Sequence, residues 1–497
     1  MTRLRQALFS MLLLLSLSLK AELIPDFIIE DLSHEILEAD TISLTQEQRV
    51  FLVSELVKMK PVDSIRLKAF LQMNLPSFAS AHLRADLLQE AAVTGRAQMV
   101  TIRPVQIDEN KAHALADIPT YAKNRIGPGT FQQMSQDRMK VFVVGGDNTQ
   151  LPHYISQITK TGRYKYLEIP SLYKAWGITK YLLPRQPGVT VPIMIWVVPP
   201  AMRYVRHYTT LFQTLNCFDC EAALDPQAAH RYELMARANV QKVLSERAID
   251  YVAFGYEKAW LKEIETNSNL EILDRKEFSK LELGASIKVY QLKDKITKKS
   301  FTLSLFSSDQ TVWGELAALH LKAFLNPNLK GVLFLGSAGS LNEKINPYDV
   351  SVPQKFLRPG LKVHIENFLD PANLDPKSTV HRPAHHGNTF SPIEQNRKYL
   401  VSVINKDIQT IDVEQSLVAE EIQRYNTINN TKILFGAVNV ITDKPYSSLT
   451  GDTSDHDLDR LDLEKKQRAR ETSVAIALNS ILKVESKQTA IRCGRLY

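Results

Sequence analysis

Cysteine is scarce in this chain of 497 residues, which contains only Cys217, Cys220 and Cys493. So few cysteines exclude a fold held together by disulfides. Cys217 and Cys220 follow a predicted helix, whereas a thioredoxin-like redox pair opens a helix after a strand, so we expect a structural or idle pair. The chain also lacks internal repeats, and beyond residue 21 it lacks an apolar run long enough to span a membrane. With 44% hydrophobic and 23% charged residues, it has the composition of an ordinary globular protein.

The first 21 residues have the order of a secretory signal peptide. Arg3 and Arg5 precede an apolar run over residues 7–19, and Ala21 follows at a plausible cleavage point. The run is shorter than the roughly 20 apolar residues of a membrane-spanning helix, although an uncleaved anchor is the alternative. We therefore expect a signal peptide over 1–21 and a periplasmic or secreted protein that has no membrane association after cleavage.

The chain has only a small excess of positive charge. It contains 61 Lys and Arg against 54 Asp and Glu, a net charge of +7. Loss of Arg3, Arg5 and Lys20 with the signal peptide would leave 7 − 3 = +4. Because this excess is small, we expect no nucleic-acid partner.

Hydrophobic periodicity divides the remaining chain into three predicted regions. Residues 22–126 form a helical N-terminal region, and Gly127-Pro128-Gly129 marks a linker. In 138–247, short apolar runs alternate with helical segments, which predicts a Rossmann-like domain with a doubly wound parallel sheet. Its first strand ends in a turn at 145–148, which is either an anion site or a tight strand-to-helix connection. A second alternation predicts another α/β domain over 248–490.

Three motifs in this last region lie at the ends of predicted strands or at a helix start. Gly336-Ser337-Ala338-Gly339-Ser340-Leu341 follows the strand at 331–335, Thr410 to Ser416 opens a helix, and Val440 to Pro445 ends a strand with a carboxylate. Carboxyl ends of parallel strands meet at one edge of a sheet, where ligands bind. The motifs therefore predict a small-molecule site at that edge.

The order and spacing of these motifs resemble the nucleoside phosphorylase superfamily, in particular its methylthioadenosine/S-adenosylhomocysteine nucleosidase branch. Ser391-Pro392-Ile393-Glu394 also resembles the substrate loop of that family, and the resemblance covers about residues 248–485. It implies a three-layer α/β/α domain that binds a small-molecule nucleoside. No cofactor or metal is expected, and a homo-oligomer is compatible with this assignment.

The resemblance also assigns roles to individual residues. The substrate-binding positions would be Gly336, Ser337, Gly339, Val413 and Glu414. Glu414 would accept hydrogen bonds from both ribose hydroxyls, and Asp443 would protonate the purine at N7. The water-activating glutamate of the nucleosidases follows the first strand. Glu257 is the candidate here, with Glu263 further along, although neither has the spacing of the family.

The chemistry requires these residue types. Cleavage of an N-glycosidic bond passes through a ribosyl oxocarbenium ion, and a positioned acid helps the base to leave. Asp443 must therefore hold a proton, which burial or a second carboxylate favours. Glu414 should stay ionised to accept the ribose hydroxyls and to stabilise the positive charge on the sugar.

Each motif also has a purely structural interpretation. The loop at 336–339 would be a tight turn, Asp412 a helix N-cap, and Asp443 a turn residue before Pro445. His381, His385 and His386 are expected on a polar loop beside the substrate pocket rather than at a metal.

Two departures from the family pattern bear on the activity. Hexameric phosphorylases have an arginine where this chain has Phe334, which favours hydrolysis. The glycine-rich turn before the central helix is replaced by Ser307-Ser308-Asp309-Gln310. We therefore predict a purine nucleosidase, with a phosphorolytic enzyme or a non-catalytic nucleoside-binding protein as the alternatives.

Overall fold

The computed structural model describes residues 100–101 and 118–493, with gaps at 160–164, 170–177, 188, 216–218, 309–313, 359–360, 364, 372–378, 390, 392, 394, 396 and 446–461. The predicted signal peptide and nearly all of the predicted helical region at 22–126 lie outside the described residues. Within the described part, no helix combines the length and apolar character that crossing a membrane requires.

Six strands form the smaller of two mixed sheets, in the order β1-β6-β2-β5-β4-β3. They are β1 (Val100–Thr101), β2 (Lys140–Gly145), β3 (Leu167–Ile169), β4 (Thr179–Leu183), β5 (Ile193–Val198) and β6 (Cys220–Leu224). β2 is parallel to β5 and β6, whereas the β1–β6, β3–β4 and β4–β5 pairs are antiparallel. The expectation of a wholly parallel sheet is therefore wrong, because β4 and β5 are joined by a connection too short for a crossover helix.

The described residues of this part of the chain form five helices. They are α1 (Ile118–Ile126), α2 (Pro128–Asp137), α3 (Leu151–Thr159), α4 (Met202–Thr214) and α5 (Pro226–Leu244). The predicted linker at 127–129 is largely the start of α2. Gly127 adopts φ 93° between the two helices, and Pro128 occupies the first helical turn, where its missing N–H costs no hydrogen bond.

The turn at 145–148 is filled by a side chain. The Tyr154 hydroxyl accepts a hydrogen bond from the Asp147 N–H at 2.9 Å and donates one to Asp225 Oδ2 at 2.7 Å. A Cβ at Gly146 would lie 2.5 Å from that hydroxyl. The glycine thus makes room for Tyr154, which corrects the anion-site interpretation of this turn.

The larger sheet has twelve strands, nine of them in the order β14-β13-β16-β17-β11-β7-β10-β9-β8. β18 pairs with β11 and β12, and β15 pairs with β12. The strands are β7 (Tyr251–Phe254), β8 (Leu270–Phe278), β9 (Ala285–Asp294), β10 (Ser300–Ser308), β11 (Gly331–Ser340), β12 (Val350–Ser351), β13 (Lys355–Arg358), β14 (Leu361–Val363), β15 (Val380–His381), β16 (His385–Asn388), β17 (Ile408–Asp412) and β18 (Leu434–Asp443). β10, β7, β11 and β18 are parallel neighbours at its centre.

Helices cover both faces of this sheet. The remaining ones are α6 (Glu257–Thr266), α7 (Glu315–Phe324), α8 (Arg397–Ile404), α9 (Gln415–Asn429) and α10 (Leu463–Cys493). One core joins the sheet to α5, α7 and α9 through Val243, Leu321 and Ile422. The other joins it to α6 and α10 through Trp260 and Ile481. The result is a three-layer arrangement, to which α5 of the preceding region contributes.

A buried carboxylate fastens α10 to the amino ends of the central strands. Glu485 is 2% exposed, and its Oε1 accepts hydrogen bonds from Tyr251 Oη at 2.8 Å and Lys330 Nζ at 2.9 Å. Lys330 also lies 3.2 Å from Asp250. This network holds the end of the sheet that is opposite the predicted site.

Candidate active site

The predicted site residues lie at the carboxyl ends of β7, β11, β17 and β18. Apolar side chains bury the first half of β11, whereas Ser337 is exposed and Gly336 partly exposed where the strand reaches this edge. Gly339 pairs with Ile411 of β17 on one side and with Asp443 of β18 on the other. Residues 336–339, for which a loop or a tight turn was expected, lie within β11, so that expectation is wrong. These residues, which we call the glycine loop after the motif, lie together with the start of α9 and the end of β18.

Asp443 packs directly on the glycine loop. Its side chain is 3% exposed, and Thr442 Oγ1 donates to its Oδ1 at 2.9 Å. A Cβ at Gly339 would lie 2.8 Å from Asp443 Oδ2 and 2.9 Å from Cγ of Pro445. The Asp443 carboxyl can therefore occupy this place only if residue 339 is glycine. A simple tight turn would not by itself impose this requirement.

Cations of α10 lie on the outer side of this carboxyl. Burial and the neighbouring Arg470 lower the pKa of Lys466, and the carboxyl group of Asp443 opposes that shift. The Arg470 guanidinium carbon is 5.2 Å from the ring centre of Tyr256. The charged first half of α10 therefore faces the site as well as solvent.

Tyr256 fixes the shape of the glycine loop and was not foreseen from the sequence. It follows Gly255, whose φ is 85° and whose Cβ would lie 2.0 Å from the Leu335 carbonyl oxygen. The Tyr256 hydroxyl donates to the Gly336 carbonyl and also hydrogen-bonds with Ser337. Burial raises the pKa of Tyr256, so the hydroxyl remains a donor. The Gly-Tyr dipeptide directly after β7 is the signal that would have located it.

Glu257 begins α6 beside this loop but is held by an ion pair. Lys288 Nζ lies 2.7 Å from its carboxylate. Burial opposes ionisation, yet hydrogen bonds from Lys288 and Ser307 together lower the pKa of Glu257. The proposed base is therefore ionised at neutral pH, and its proton affinity is reduced.

Glu414 lies at the start of α9, where several groups act on its charge. Burial and the neighbouring Asp412 raise the pKa of Glu414 well above the usual range, whereas backbone hydrogen bonds from Val413 and Gly314 and the charge of Arg203 lower it. The net direction is opposite to the expectation that Glu414 is readily ionised. The cause is the partial removal of water beside a second carboxylate.

Gly314 is a glycine beside Glu414 that the motifs in the sequence did not single out. It lies directly before α7 with φ 55°, a left-handed conformation that favours glycine. Its backbone hydrogen-bonds to Glu414.

The N-cap position of α9 is Glu414, so the prediction of Asp412 as the N-cap residue is wrong, although the Asp412 side chain still binds the first N–H groups of the helix. The Asp412 carboxylate accepts hydrogen bonds from the N–H groups of Glu414 at 3.2 Å and Gln415 at 3.1 Å. His386 Nε2 lies 3.0 Å from Asp412 Oδ1, and its Nδ1 lies 2.9 Å from Thr410 Oγ1. The expected loop is wrong at His381, which belongs to β15, and at His385 and His386, which belong to β16. Pairing with β13 and β17, which are distant in sequence, creates β16.

A buried amide pair supports the floor of the site. Gln415 and Asn439 are fully buried and exchange hydrogen bonds, with Asn439 Nδ2 donating to Gln415 Oε1 at 3.1 Å. A Cβ at Gly336 would lie 3.7 Å from Gln415 Nε2. The pair joins the start of α9 to β18 directly below the glycine loop.

Among the described residues, no three His, Cys, Asp or Glu side chains are grouped to hold a metal ion. The polar groups near Glu414 instead form hydrogen bonds with one another.

About half of the chain matches solved structures of the nucleoside phosphorylase and nucleosidase superfamily. A putative methylthioadenosine nucleosidase from Weissella paramesenteroides is 14% identical, with a TM-score of 0.34 over 47% of this chain and 97% of that one. The 5'-methylthioadenosine/S-adenosyl homocysteine nucleosidase of Campylobacter jejuni is 13% identical, with a TM-score of 0.35 over 48% and 100%. The purine nucleoside phosphorylase of Toxoplasma gondii is 12% identical, with a TM-score of 0.34 over 49% and 94%.

No protein-family model matches the chain, and no curated protein matches its sequence. The structural likeness concerns the fold alone, because activity depends on the individual groups of the site.

Proposed function

We propose that the region over 248–490 cleaves the N-glycosidic bond of a purine nucleoside by hydrolysis. The contact between Gly339 and the buried Asp443 carboxyl is the main support, since it brings an acid to the loop that presents Ser337. Glu414 begins the helix on the other side of the same loop. An acid for the base and a carboxylate for the ribose are the groups that this reaction needs.

In this proposal the bond between C1′ and N9 breaks, and its electron pair leaves with the purine. Asp443 gives a proton to N7 of the departing base. Glu414 accepts hydrogen bonds from the ribose hydroxyls, and its negative charge stabilises the oxocarbenium ion. Water adds its oxygen to C1′ and gives its proton to Glu257. The products are the free base and the free sugar.

Phe334 supports water rather than phosphate as the acceptor. Its side chain is 7% exposed, and its ring stacks on Phe254 with the ring centres 6.1 Å apart. Hexameric phosphorylases of the superfamily that the sequence resembles have an arginine at this position. A phenylalanine packed into the core offers no charge to a phosphate.

The N-terminal pattern of Arg3, Arg5 and the apolar run at 7–19 supports an extracytoplasmic location. In that compartment the protein would act on nucleosides that have not entered the cytoplasm. A reporter fused after residue 21 tests this part of the proposal. Retention of the reporter in the cytoplasm would contradict it.

Incubation of the purified protein with a panel of purine nucleosides tests the activity, with the free base followed by chromatography. We expect base release, and we expect Asp443→Asn to slow it by about 10²–10⁴-fold. Release by the Asp443→Asn variant at the wild-type rate would overturn the assignment of the acid.

A non-catalytic nucleoside-binding protein is the second candidate, and the ion pair between Glu257 and Lys288 favours it. A carboxylate held by a lysine 2.7 Å away is a weaker base towards water. This alternative predicts calorimetric binding of a nucleoside without release of base.

A further inference from the structure

A helix of the smaller α/β region reaches into the proposed ribose site. Arg203, in the first turn of α4, has a side chain that is 1% exposed. Its Nη1 donates to Asn388 Oδ1 at 2.9 Å, to the Thr389 carbonyl at 2.8 Å and to the Val413 carbonyl at 3.0 Å. The guanidinium thus holds the residue before Glu414 and the strand end beside it.

Two further contacts fix Arg203 from the side of α7. The Arg203 N–H donates to Glu315 Oε2 at 3.2 Å, and Nε lies 3.6 Å from Oε1 of the same carboxylate. A Cβ at Gly314 would lie 3.0 Å from Arg203 Cδ. Because the Gly314 backbone also hydrogen-bonds to Glu414, the glycine lies against both residues.

One turn further along α4, His207 contacts the predicted substrate loop. Its Nδ1 lies 2.7 Å from Ser391 Oγ, and both side chains are buried. Burial, with a smaller effect of Arg125, lowers the pKa of His207 to about 3, so this contact is neutral. Arg203, in contrast, brings a positive charge from α4 to the residue before Glu414.

We propose that Arg203 is a positioning residue for Glu414, favouring the charged form of its carboxylate and holding it in place for a ribose, so that the smaller α/β region completes the nucleoside site. This inference rests on the proposed role of Glu414. Arg203 itself is enclosed by its protein acceptors and does not need to touch the nucleoside.

The charged groups around Glu414 determine how its ionisation changes when Arg203 is replaced. Asp412 of β17 opposes its ionisation, and Arg203 of α4 favours it. Glu315 of α7 pairs with Arg203, and Tyr204 of α4 also interacts with the Glu414 charge. Removal of the guanidinium charge would therefore leave a carboxylate in a site that favours its neutral form.

Thermal unfolding measured across pH tests the coupling without any nucleoside. The raised pKa of Glu414 means that its ionisation destabilises the fold, so stability falls as pH rises through that pKa. Relative to wild type, Arg203→Met should lose more stability at pH 8 than at pH 5. When Arg203→Met is combined with Glu414→Gln, this pH dependence of the loss should disappear. Arg237→Met, which removes an arginine from an exposed pair on α5, should show no such pH dependence.

The pH profile of kcat/KM for nucleoside cleavage is the second readout. Arg203→Met should move the acidic limb to higher pH, with a loss at pH 7 of about tenfold for each pH unit by which the limb then lies above pH 7. Arg203→Lys, which keeps the charge, should restore the wild-type limb.

The two readouts separate the possible failures. Wild-type cleavage with an unmoved acidic limb in Arg203→Met, or equal losses of stability at both pH values, would overturn the inference and leave the proposed function intact. Coupling in the unfolding experiment without cleavage or binding of any nucleoside would overturn the proposed function, while supporting the link between Arg203 and Glu414.

Discussion

The Gly339→Ala substitution tests whether the rate of catalysis depends on the exact position of the Asp443 carboxyl. The new Cβ would lie 2.8 Å from Asp443 Oδ2 and 2.9 Å from Cγ of Pro445. Ordinary contacts of a carbon atom are about 3.5 Å or longer, so the neighbours must move by roughly 0.5–1 Å. The carboxyl moves because it is one of the two groups in the way.

Two magnitudes follow from this displacement. Overpacking of a buried position costs about 1–3 kcal/mol of stability. Misplacement of a reacting group by about 1 Å costs about 100-fold in rate, equivalent to about 2.7 kcal/mol of activation free energy. The variant should therefore remain folded and lose nearly all activity.

The matched control is Gly331→Ala, at the other end of the same strand. There a Cβ would lie 3.0 Å from a ring carbon of Tyr251, so a similar crowding occurs far from the site. Chemical denaturation and kcat are measured for both variants. We expect comparable losses of stability, with a fall in kcat only for Gly339→Ala. A folded Gly339→Ala enzyme with kcat within about twofold of wild type would refute the reasoning.

Three other substitutions test the remaining groups. Asp443→Asn should lower kcat by about 10²–10⁴-fold, measured as base release, and retained activity would remove Asp443 as the acid. Glu257→Gln should lower kcat by a similar factor. Because the pKa of Glu257 is lowered in the folded protein, its ionised side chain stabilises the fold at pH 7, and this effect is lost as pH falls through that pKa. The melting temperatures of Glu257→Gln and wild type should therefore differ at pH 7 and converge at pH 3. An unchanged kcat would limit Glu257 to its ion pair. Glu485→Gln should lower the free energy of unfolding, measured with denaturant, by about 1–3 kcal/mol. The control Glu464→Gln, at an exposed position of the same helix, should lower it by less than about 0.5 kcal/mol. Equal losses would contradict the importance of the buried network.

The central strands could be predicted because their sequences are continuous and apolar. Each of the apolar runs at 251–255, 331–335 and 433–441 forms a buried strand, and the first residue of each strand lies within about two residues of its predicted start. Parallel strands buried on both faces have this pattern. The positions of Gly339 and Asp443 at their ends followed from the same pattern.

The edge strands carry no comparable signal. β8, at residues 270–278, is mostly exposed and contains charged side chains, as is usual at the edge of a sheet. β12, at 350–351, and β15, at 380–381, are only two residues long and exist through pairing with partners elsewhere in the chain. No local periodicity can indicate strands of this kind.

The charge of Glu414 depends on groups that are remote in sequence. Arg203 precedes it by more than two hundred positions, and Gly314 by one hundred. The sequence identified the carboxylate, but burial beside Asp412 reverses the expected direction of its pKa. Local motifs contain the residue types of the site, whereas tertiary packing determines their charges.

The central claim is hydrolysis at this site, and identification of the sugar product tests it most directly. The purified protein is incubated with a purine nucleoside in the presence of inorganic phosphate, and the products are separated by mass. We predict free ribose together with the free base. Ribose 1-phosphate would show phosphorolysis, and an intact nucleoside would show that the site does not cleave this bond, so either result would contradict the proposed function.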